Sequence, residues 1–334
     1  MNRYYGDKIE TLKDIFGSEN IRLGEDQLTV NQDSYPILDD VIILLQPGQY
    51  PNGLREKMGL VGKSNSKVSI KSDQEIQFSF GEEWRKYSEV LPEHETEFHH
   101  YFDLVELESL KDLRVCDLGC GNGRWSYFLK NRCRELILID FSDSIFVSRS
   151  NLRDSDRCLF FMGDLTQLPF RNGFTDFLFC LGVLHHLPTN CLEAVGGLKK
   201  YAPFLLIYLY YSLDNRPFYF PLLLKTVTWL RMMVSKVKYR HFRSCFTWVV
   251  GTLFYLPLVG LGRIFDLWGS SKYIPLYETY KGKSFQRIRQ DVYDRFFTTI
   301  EQRCSKKEIE TLRDTFSQVN ISEQIPYWHF VCRP

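Results

Sequence analysis

The sequence lacks an excess of charge of either sign. It has 42 Lys and Arg against 41 Asp and Glu, so no global field draws the chain to nucleic acid. Its first residues hold no apolar run of the kind found in secretory signals. The nine cysteines are odd in number and form no C-x-x-C pair. That pattern argues against a disulfide framework and a zinc ribbon, and we predict a cytoplasmic protein with reduced thiols and no metal.

A glycine-rich turn is the most informative stretch. Residues 114–124 read RVCDLGCGNGR, and the turn holds three alternating glycines, Gly119, Gly121 and Gly123. An apolar strand ends at Asp117, and an amphipathic helix begins near Trp125. Glycine permits positive φ and lets backbone N–H groups approach a ligand closely. A dinucleotide fingerprint would need glycine or alanine where Arg124 stands, so this pattern disfavours a dinucleotide-binding fold.

Strands and helices alternate regularly after this turn. We predict apolar strands at residues 113–117, 136–140, 159–162, 176–181 and 204–210, with helix-length segments between them. Near-continuous apolar strands of this kind form a parallel sheet that is buried on both faces. Ser305 and Glu308 have capping-box spacing and predict a late helix, followed by strands near 319–321 and 327–332.

The D-x-G-x-G-x-G spacing, together with the final strand pair, resembles class I S-adenosylmethionine-dependent methyltransferases across residues 78–211 and 297–334. The resemblance implies an α/β, Rossmann-like sheet, mostly parallel, with a C-terminal antiparallel hairpin. A small N-terminal β-hairpin unit (1–50), a linker (51–77) and a helical insertion after the fifth strand (212–296) would be added to it.

The same resemblance implies S-adenosylmethionine as the cofactor. It assigns ten residues to cofactor binding: Asp117, Gly119, Cys120, Gly121, Gly123, Asp140, Phe141, Asp164, Leu165 and Leu181. Asp117 would lie near the amino group, directly or through water, and Asp140 would accept from the ribose hydroxyls. Phe141 and Leu165 would border the adenine, whose amino group would donate to Asp164. A loop-capping role is the alternative for Asp164.

Candidate catalytic and substrate residues lie at the same edge of the sheet. His185 and His186 could remove the proton of an acceptor hydroxyl, or they could belong to a structural turn. Trp84 belongs to an F-G-x-x-W element that covers the pocket in similar bacterial methyltransferases, although an aromatic helix anchor is the alternative. Asp214 and Arg216 follow the fifth strand and would hold a polar acceptor or form a loop turn.

The N-terminal segment predicts two strands, at residues 27–30 and 35–45, and it has a separate resemblance. Residues 34–45 resemble the C-terminal hairpin of the zinc-ribbon-derived activator domain of tRNA methyltransferases, but the cysteine ligands are absent. A β-hairpin that packs on the catalytic domain is the alternative interpretation.

The insertion is basic, aromatic and apolar. Residues 199–262 hold nine Lys or Arg and a single acid, and the 19 residues 244–262 carry no charge. Three interpretations stay open: a helical cap over the active site, contact with an anionic membrane surface through 212–265, and a true membrane span.

The resemblance implies methyl transfer, and the aromatic and basic insertion suggests an oxygen of a small, glycan or lipid-linked acceptor. The motif arrangement resembles methyltransferases encoded among bacterial surface-polysaccharide genes. The location would be cytoplasmic, with peripheral contact at the inner face of the membrane. A tRNA or rRNA methyltransferase and a non-catalytic adaptor with this fold are the alternatives, and the balanced charge disfavours nucleic acid as a partner.

Overall fold

The computed structural model describes residues 2–60, 81, 86–237 and 239–334. One sheet of eleven strands organises them, in the order β1-β2-β3-β4-β7-β6-β5-β8-β9-β11-β10. The strands are β1 (Ile21–Leu23), β2 (Gln27–Val30), β3 (Asp33–Leu38), β4 (Val41–Ile43), β5 (Arg114–Leu118), β6 (Glu135–Asp140), β7 (Cys158–Met162), β8 (Phe177–Leu181), β9 (Phe204–Tyr208), β10 (Gln318–Ile321) and β11 (His329–Arg333).

The centre of the sheet is parallel: β5 to β9 pair in parallel, and helices form the crossovers between them except from β7 to β8, where a loop makes the connection. In the register, Cys116 of β5 lies between Ile137 of β6 and Leu178 of β8. Every residue of β5, β7 and β8 is buried, as apolar runs between two helical layers require. The strand β11 runs antiparallel to β9, and β10 runs antiparallel to β11. The predicted fold class is confirmed.

Helices cover both faces of this sheet. They are α1 (Ile9–Phe16), α2 (Asn52–Lys57), α3 (Glu93–Tyr101), α4 (Arg124–Leu129), α5 (Ser144–Asn151), α6 (Cys191–Leu198), α7 (Tyr219–Val234), α8 (Arg240–Val250), α9 (Leu256–Asp266), α10 (Tyr277–Tyr280), α11 (Phe285–Phe297) and α12 (Lys306–Glu310). The capping box begins α12: the Ser305 hydroxyl accepts from the Glu308 N–H, and the Glu308 carboxylate accepts from the Ser305 N–H.

The N-terminal strands extend the sheet. β1, β2, β3 and β4 form an antiparallel series, and β4 then pairs in parallel with β7. The expected second strand at 35–45 is divided by Asp39 and Asp40, whose φ values of 48° and 61° form the turn of a hairpin. The Tyr5 hydroxyl donates to the Asp40 carbonyl at 2.7 Å. The N-terminal hairpin is therefore continuous with the main sheet, and the expected linker includes the helix α2.

The insertion packs as a helical layer beside the carboxyl ends of the strands. α8, a π-helical segment (Gly251–Tyr255) and α9 make one continuous helix from Arg240 to Asp266. This long helix and α7 both pack on α11. A separate apolar cluster joins them, with Tyr255 and Val259 against Tyr280, Ile288 and Val292.

Candidate active site

A large cavity lies where the parallel strands end. Its volume is about 1560 Å³. The turns after β5, β6, β7 and β8 form one end, and α3, α11 and the insertion helices enclose the rest. In open α/β sheets, this carboxyl edge is where ligands bind.

The glycine turn brings the backbone close to this cavity. Gly119 lines the cavity with φ of 82°, and a Cβ there would lie 2.4 Å from Cγ2 of Val183. Only glycine fits, because both the positive φ and the approach of the two turns exclude a side chain. Cys120, Gly121 and Gly123 lie behind the wall and shape the turn. Gly123 begins α4 with φ of 75°, and burial raises the pKa of the Cys120 thiol well above its usual value.

Asp140 ends β6 with a carboxylate held from several sides. Its Oδ1 accepts from the Ser142 N–H at 2.9 Å and from the Ser142 and Ser144 hydroxyls at 2.8 Å each. Its Oδ2 accepts from the Gly121 N–H at 2.9 Å. The carboxylate lines the cavity beside Phe141, so a ligand meets a fixed acceptor there.

Asp164 caps a loop and also lines the cavity. Its Oδ1 accepts from the Thr166 N–H at 2.9 Å and from the Thr166 hydroxyl at 2.6 Å, which caps the loop after β7. Its Oδ2 lies 3.5 Å from Nε2 of Gln49. Asp164 and Leu165 both line the cavity, on the same side as Asp140.

Asp117 lies beneath the turn and outside the cavity wall. The Ser126 hydroxyl donates to its carboxylate at 2.7 Å. Burial, reinforced by the Asp140 carboxylate and opposed by the Ser126 hydrogen bond, raises its pKa from 3.8 to about 8. Because Asp117 does not line the cavity, its carboxylate cannot contact a ligand's amino group directly, which was one of the two arrangements expected.

The two histidines after β8 have different surroundings. His186 lines the cavity near Leu181 and Val183. Its Nδ1 lies 2.7 Å from the Ile300 carbonyl. Because a carbonyl only accepts, Nδ1 carries the proton and Nε2 is the basic nitrogen of the neutral ring.

His185 is fully buried outside the cavity wall, unlike its neighbour. It stacks on Tyr210 at 3.9 Å and accepts from the Tyr210 N–H at 3.4 Å. Burial, with smaller contributions from His186 and Arg303, lowers its pKa well below the usual value. The structure therefore gives His185 a packing role, in place of the catalytic role that the sequence suggested.

The candidate substrate residues are also divided. Arg216 lines the cavity, pairs with the Glu278 carboxylate at 2.5 Å and lies over the Tyr327 ring at 5.2 Å. Asp214 faces away: it accepts from the Lys306 N–H and from Nε1 of Trp328, both at 2.8 Å. The structure thus corrects the substrate assignment of Asp214, which ties the loop after β9 to the C-terminal elements. Trp84 lies outside the described residues.

The wall opposite the sheet was missed by sequence reasoning. Glu97 of α3 accepts from Nε of Arg287 at 3.0 Å and pairs with Lys283 at 2.8 Å. Burial opposes ionisation of Glu97, but these two cations hold its pKa below the usual value. The Tyr210 hydroxyl donates to the Asp294 carboxylate. No sequence motif marked Glu97 and Arg287, which only the fold brings together.

An apolar arm continues the cavity into the insertion. It is lined by five residues of α7 and four of the long helix: Phe220, Leu223, Leu224, Val227, Leu230, Val250, Phe254, Tyr255 and Leu258. The cavity thus runs from two carboxylates at the sheet edge to an aliphatic and aromatic channel. Among the residues that the structure describes, no group of three or more His, Cys, Asp or Glu side chains could hold a metal ion.

Comparison with known families agrees with this geometry. Residues 115–200, from β5 past the end of α6, match the family model described as "Methyltransferase domain". This region has the class I methyltransferase fold, and the cofactor of that class is S-adenosylmethionine. No curated protein matches the sequence.

Similar solved structures share a limited core. Magnesium protoporphyrin IX methyltransferase from Synechocystis PCC 6803, solved with bound SAM, is 20% identical over 44% of this chain and 80% of its own, with a TM-score of 0.36. Phosphoethanolamine N-methyltransferase 1 from Haemonchus contortus, in complex with phosphoethanolamine and S-adenosylhomocysteine, is 17% identical over 41% of this chain, with a TM-score of 0.35. The match spans only 33% of that enzyme.

Proposed function

We propose that the chain is an S-adenosylmethionine-dependent methyltransferase acting on an oxygen of an acceptor that lies along the apolar arm. The observation that carries this proposal is the continuity of one cavity. A rigid carboxylate and a close glycine turn lie at one end, His186 lies at the middle strands, and an apolar channel forms the other end.

The cofactor end offers a partner for each part of the nucleoside. Asp140 would accept from the ribose hydroxyls, and Asp164 would accept from the adenine amino group. Phe141 and Leu165 offer apolar surface for the base. The volume exceeds the roughly 300–1,000 Å³ of an ordinary ligand pocket, which leaves room for an acceptor beside the cofactor.

The chemistry asks little of the protein beyond alignment and proton removal. When bound, the cofactor supplies a methyl group that is bonded to a sulfonium sulfur. That sulfur keeps the electron pair of the broken C–S bond and leaves as part of a neutral thioether. The cavity walls would hold the acceptor oxygen in line with that bond. Nε2 of His186 would take the hydroxyl proton as the new C–O bond forms, while Nδ1–H stays on the Ile300 carbonyl.

Labelled S-adenosylmethionine tests this proposal on cell extracts divided into lipid, glycan, RNA and small-molecule pools. We expect label in the lipid or glycan pool, in an alkali-stable ether or another O-methyl linkage. Label in RNA would instead favour a tRNA or rRNA methyltransferase. Absence of both binding heat and thermal stabilisation by the cofactor would favour a non-catalytic adaptor.

A further inference from the structure

We propose that the outer face of the insertion docks on an anionic membrane surface, and that the acceptor is a lipid whose chain enters the cavity from that face. The identity of the acceptor rests on the proposed methyl transfer, whereas the docking does not.

Exposed apolar side chains are concentrated on the insertion. Of the large hydrophobic side chains that are exposed in the described part of the chain, all but Tyr127 lie between Phe218 and Tyr273. Leu253 is 63% exposed, Trp229 is 63% exposed and Trp268 is 70% exposed. Concentrated patches of this kind mark interaction surfaces, because isolated soluble proteins keep such patches small.

The long helix exposes apolar side chains over most of its surface, unlike the surface helix of a soluble protein. Its buried residues recur three or four positions apart and form one narrow stripe: Arg243, Thr247, Gly251, Tyr255, Val259 and Gly262. Most of the other residues of the uncharged run are exposed, including Trp248 and Leu253. A water-facing helix normally exposes polar residues on that side. The outer side is therefore suited to an apolar environment.

The charge around this face selects an anionic membrane. Between Asn215 and Phe265 there is no Asp or Glu, while eight Lys or Arg occur there. Lys225, Lys236 and Arg263 are exposed. Exposed cations beside tryptophans and aliphatic residues are typical of helices that lie in the interface of an anionic bilayer. A purely protein partner would not require this one-sided charge.

The packing of its buried stripe indicates that the long helix lies on the membrane and does not cross it. The helix has 27 residues, and its length and composition would allow a span. However, a Cβ on Gly262 would lie 2.2 Å from the Tyr277 ring, and one on Gly251 would lie 2.9 Å from Phe285. Arg243 donates to the Val237 carbonyl and the Tyr293 hydroxyl. A spanning helix would have to give up these contacts.

The cavity opens toward the same face. Leu223 and Leu230 of α7 and Phe254 of the long helix line the apolar arm, yet they are 48%, 38% and 60% exposed. The arm therefore reaches solvent between these two helices. A lipid chain could pass from the bilayer into the arm without crossing water, and its hydroxyl-bearing head group would lie toward His186.

Vesicle flotation tests the docking. The full chain is mixed with vesicles of neutral lipid alone or with about 30% anionic lipid. The variant L253E/W268E introduces charge at two exposed positions that do not line the cavity. The control is Tyr127→Glu, at an exposed aromatic residue of α4 outside the insertion. We expect flotation with anionic vesicles, a decrease of about tenfold or more in L253E/W268E, and no change in the control.

Several outcomes would overturn the docking. These are equal binding to neutral vesicles, no binding at all, resistance to alkaline carbonate extraction as shown by a true span, and a stable dimer that L253E/W268E dissociates. Flotation that falls as salt rises from about 0.05 to 0.5 M would support the charge argument.

Acceptor entry is tested separately with Leu224→Trp, which fills the arm. We expect this variant to lose transfer of label into the lipid pool while its cofactor affinity stays unchanged. L253E/W268E should lose transfer from vesicles but keep transfer to detergent-dispersed lipid. Unchanged transfer by Leu224→Trp would overturn lipid entry. Absence of cofactor binding in the unmodified chain would overturn the proposed function and the acceptor assignment that rests on it, but not the docking.

Discussion

Replacing Asp140 with asparagine tests the cofactor end of the cavity most sharply. The carboxylate is fixed by four donors from Gly121, Ser142 and Ser144. It faces the cavity, where two ribose hydroxyls would donate to it. Hydrogen bonds to a charged group contribute about 1.5–3 kcal/mol. Asparagine keeps one acceptor oxygen, so the loss of one such bond predicts binding of S-adenosylmethionine about 10- to 150-fold weaker, measured by isothermal titration calorimetry.

A matched variant separates this contact from damage to the loop. Ser144→Ala removes one donor to Oδ1 of Asp140, and Ser144 is buried outside the cavity wall. We expect Ser144→Ala to cost about 1 kcal/mol of unfolding free energy and to leave the dissociation constant within about threefold. If Asp140→Asn bound the cofactor as tightly as the unmodified chain, the ribose assignment would be wrong.

Three further predictions concern residues around this site. His186→Gln should lower turnover by about 100-fold or more without weakening cofactor binding, since it removes a proton acceptor; unchanged turnover would place the acceptor elsewhere. The free energy of unfolding of the ligand-free chain should fall as pH rises from about 4 to about 8. The reason is that folded Asp117 keeps its proton up to a pKa of about 8, whereas the carboxyl of the unfolded chain has already lost it. Asp117→Asn should make the free energy of unfolding, measured by denaturant titration, less dependent on pH. The same pH dependence in the variant and the unmodified chain would contradict the raised pKa. Gly119→Ala should lower the free energy of unfolding by about 2 kcal/mol or more. Val183→Ala in the same chain should restore part of this loss, because it removes the 2.4 Å contact with the new Cβ but leaves the positive φ.

The central sheet could be predicted because each of its strands is an apolar run flanked by turn residues. Those runs report burial on both faces, which is a local property of the sequence. The hairpin at 35–45 shows the limit: the turn at Asp39 and Asp40 depends on two positive φ values, and neither residue is glycine. The sequence therefore suggested one long strand where there are two.

The site divides in the same way. Asp140 and Asp164 follow strands directly, so the parallel topology alone places them at one edge. Glu97 and Arg287 meet across 190 residues of sequence, and no local pattern announces their pairing. Asp214 follows a strand as well, but its partners Lys306 and Trp328 come from the C-terminal elements and turn it away from the cavity.

Calorimetric titration of the full chain with S-adenosylmethionine, compared with Asp140→Asn, tests the central claim most directly. The account predicts one site per chain with heat that is lost or strongly reduced in the variant. Saturating cofactor that gives neither heat nor thermal stabilisation in the unmodified chain would contradict it.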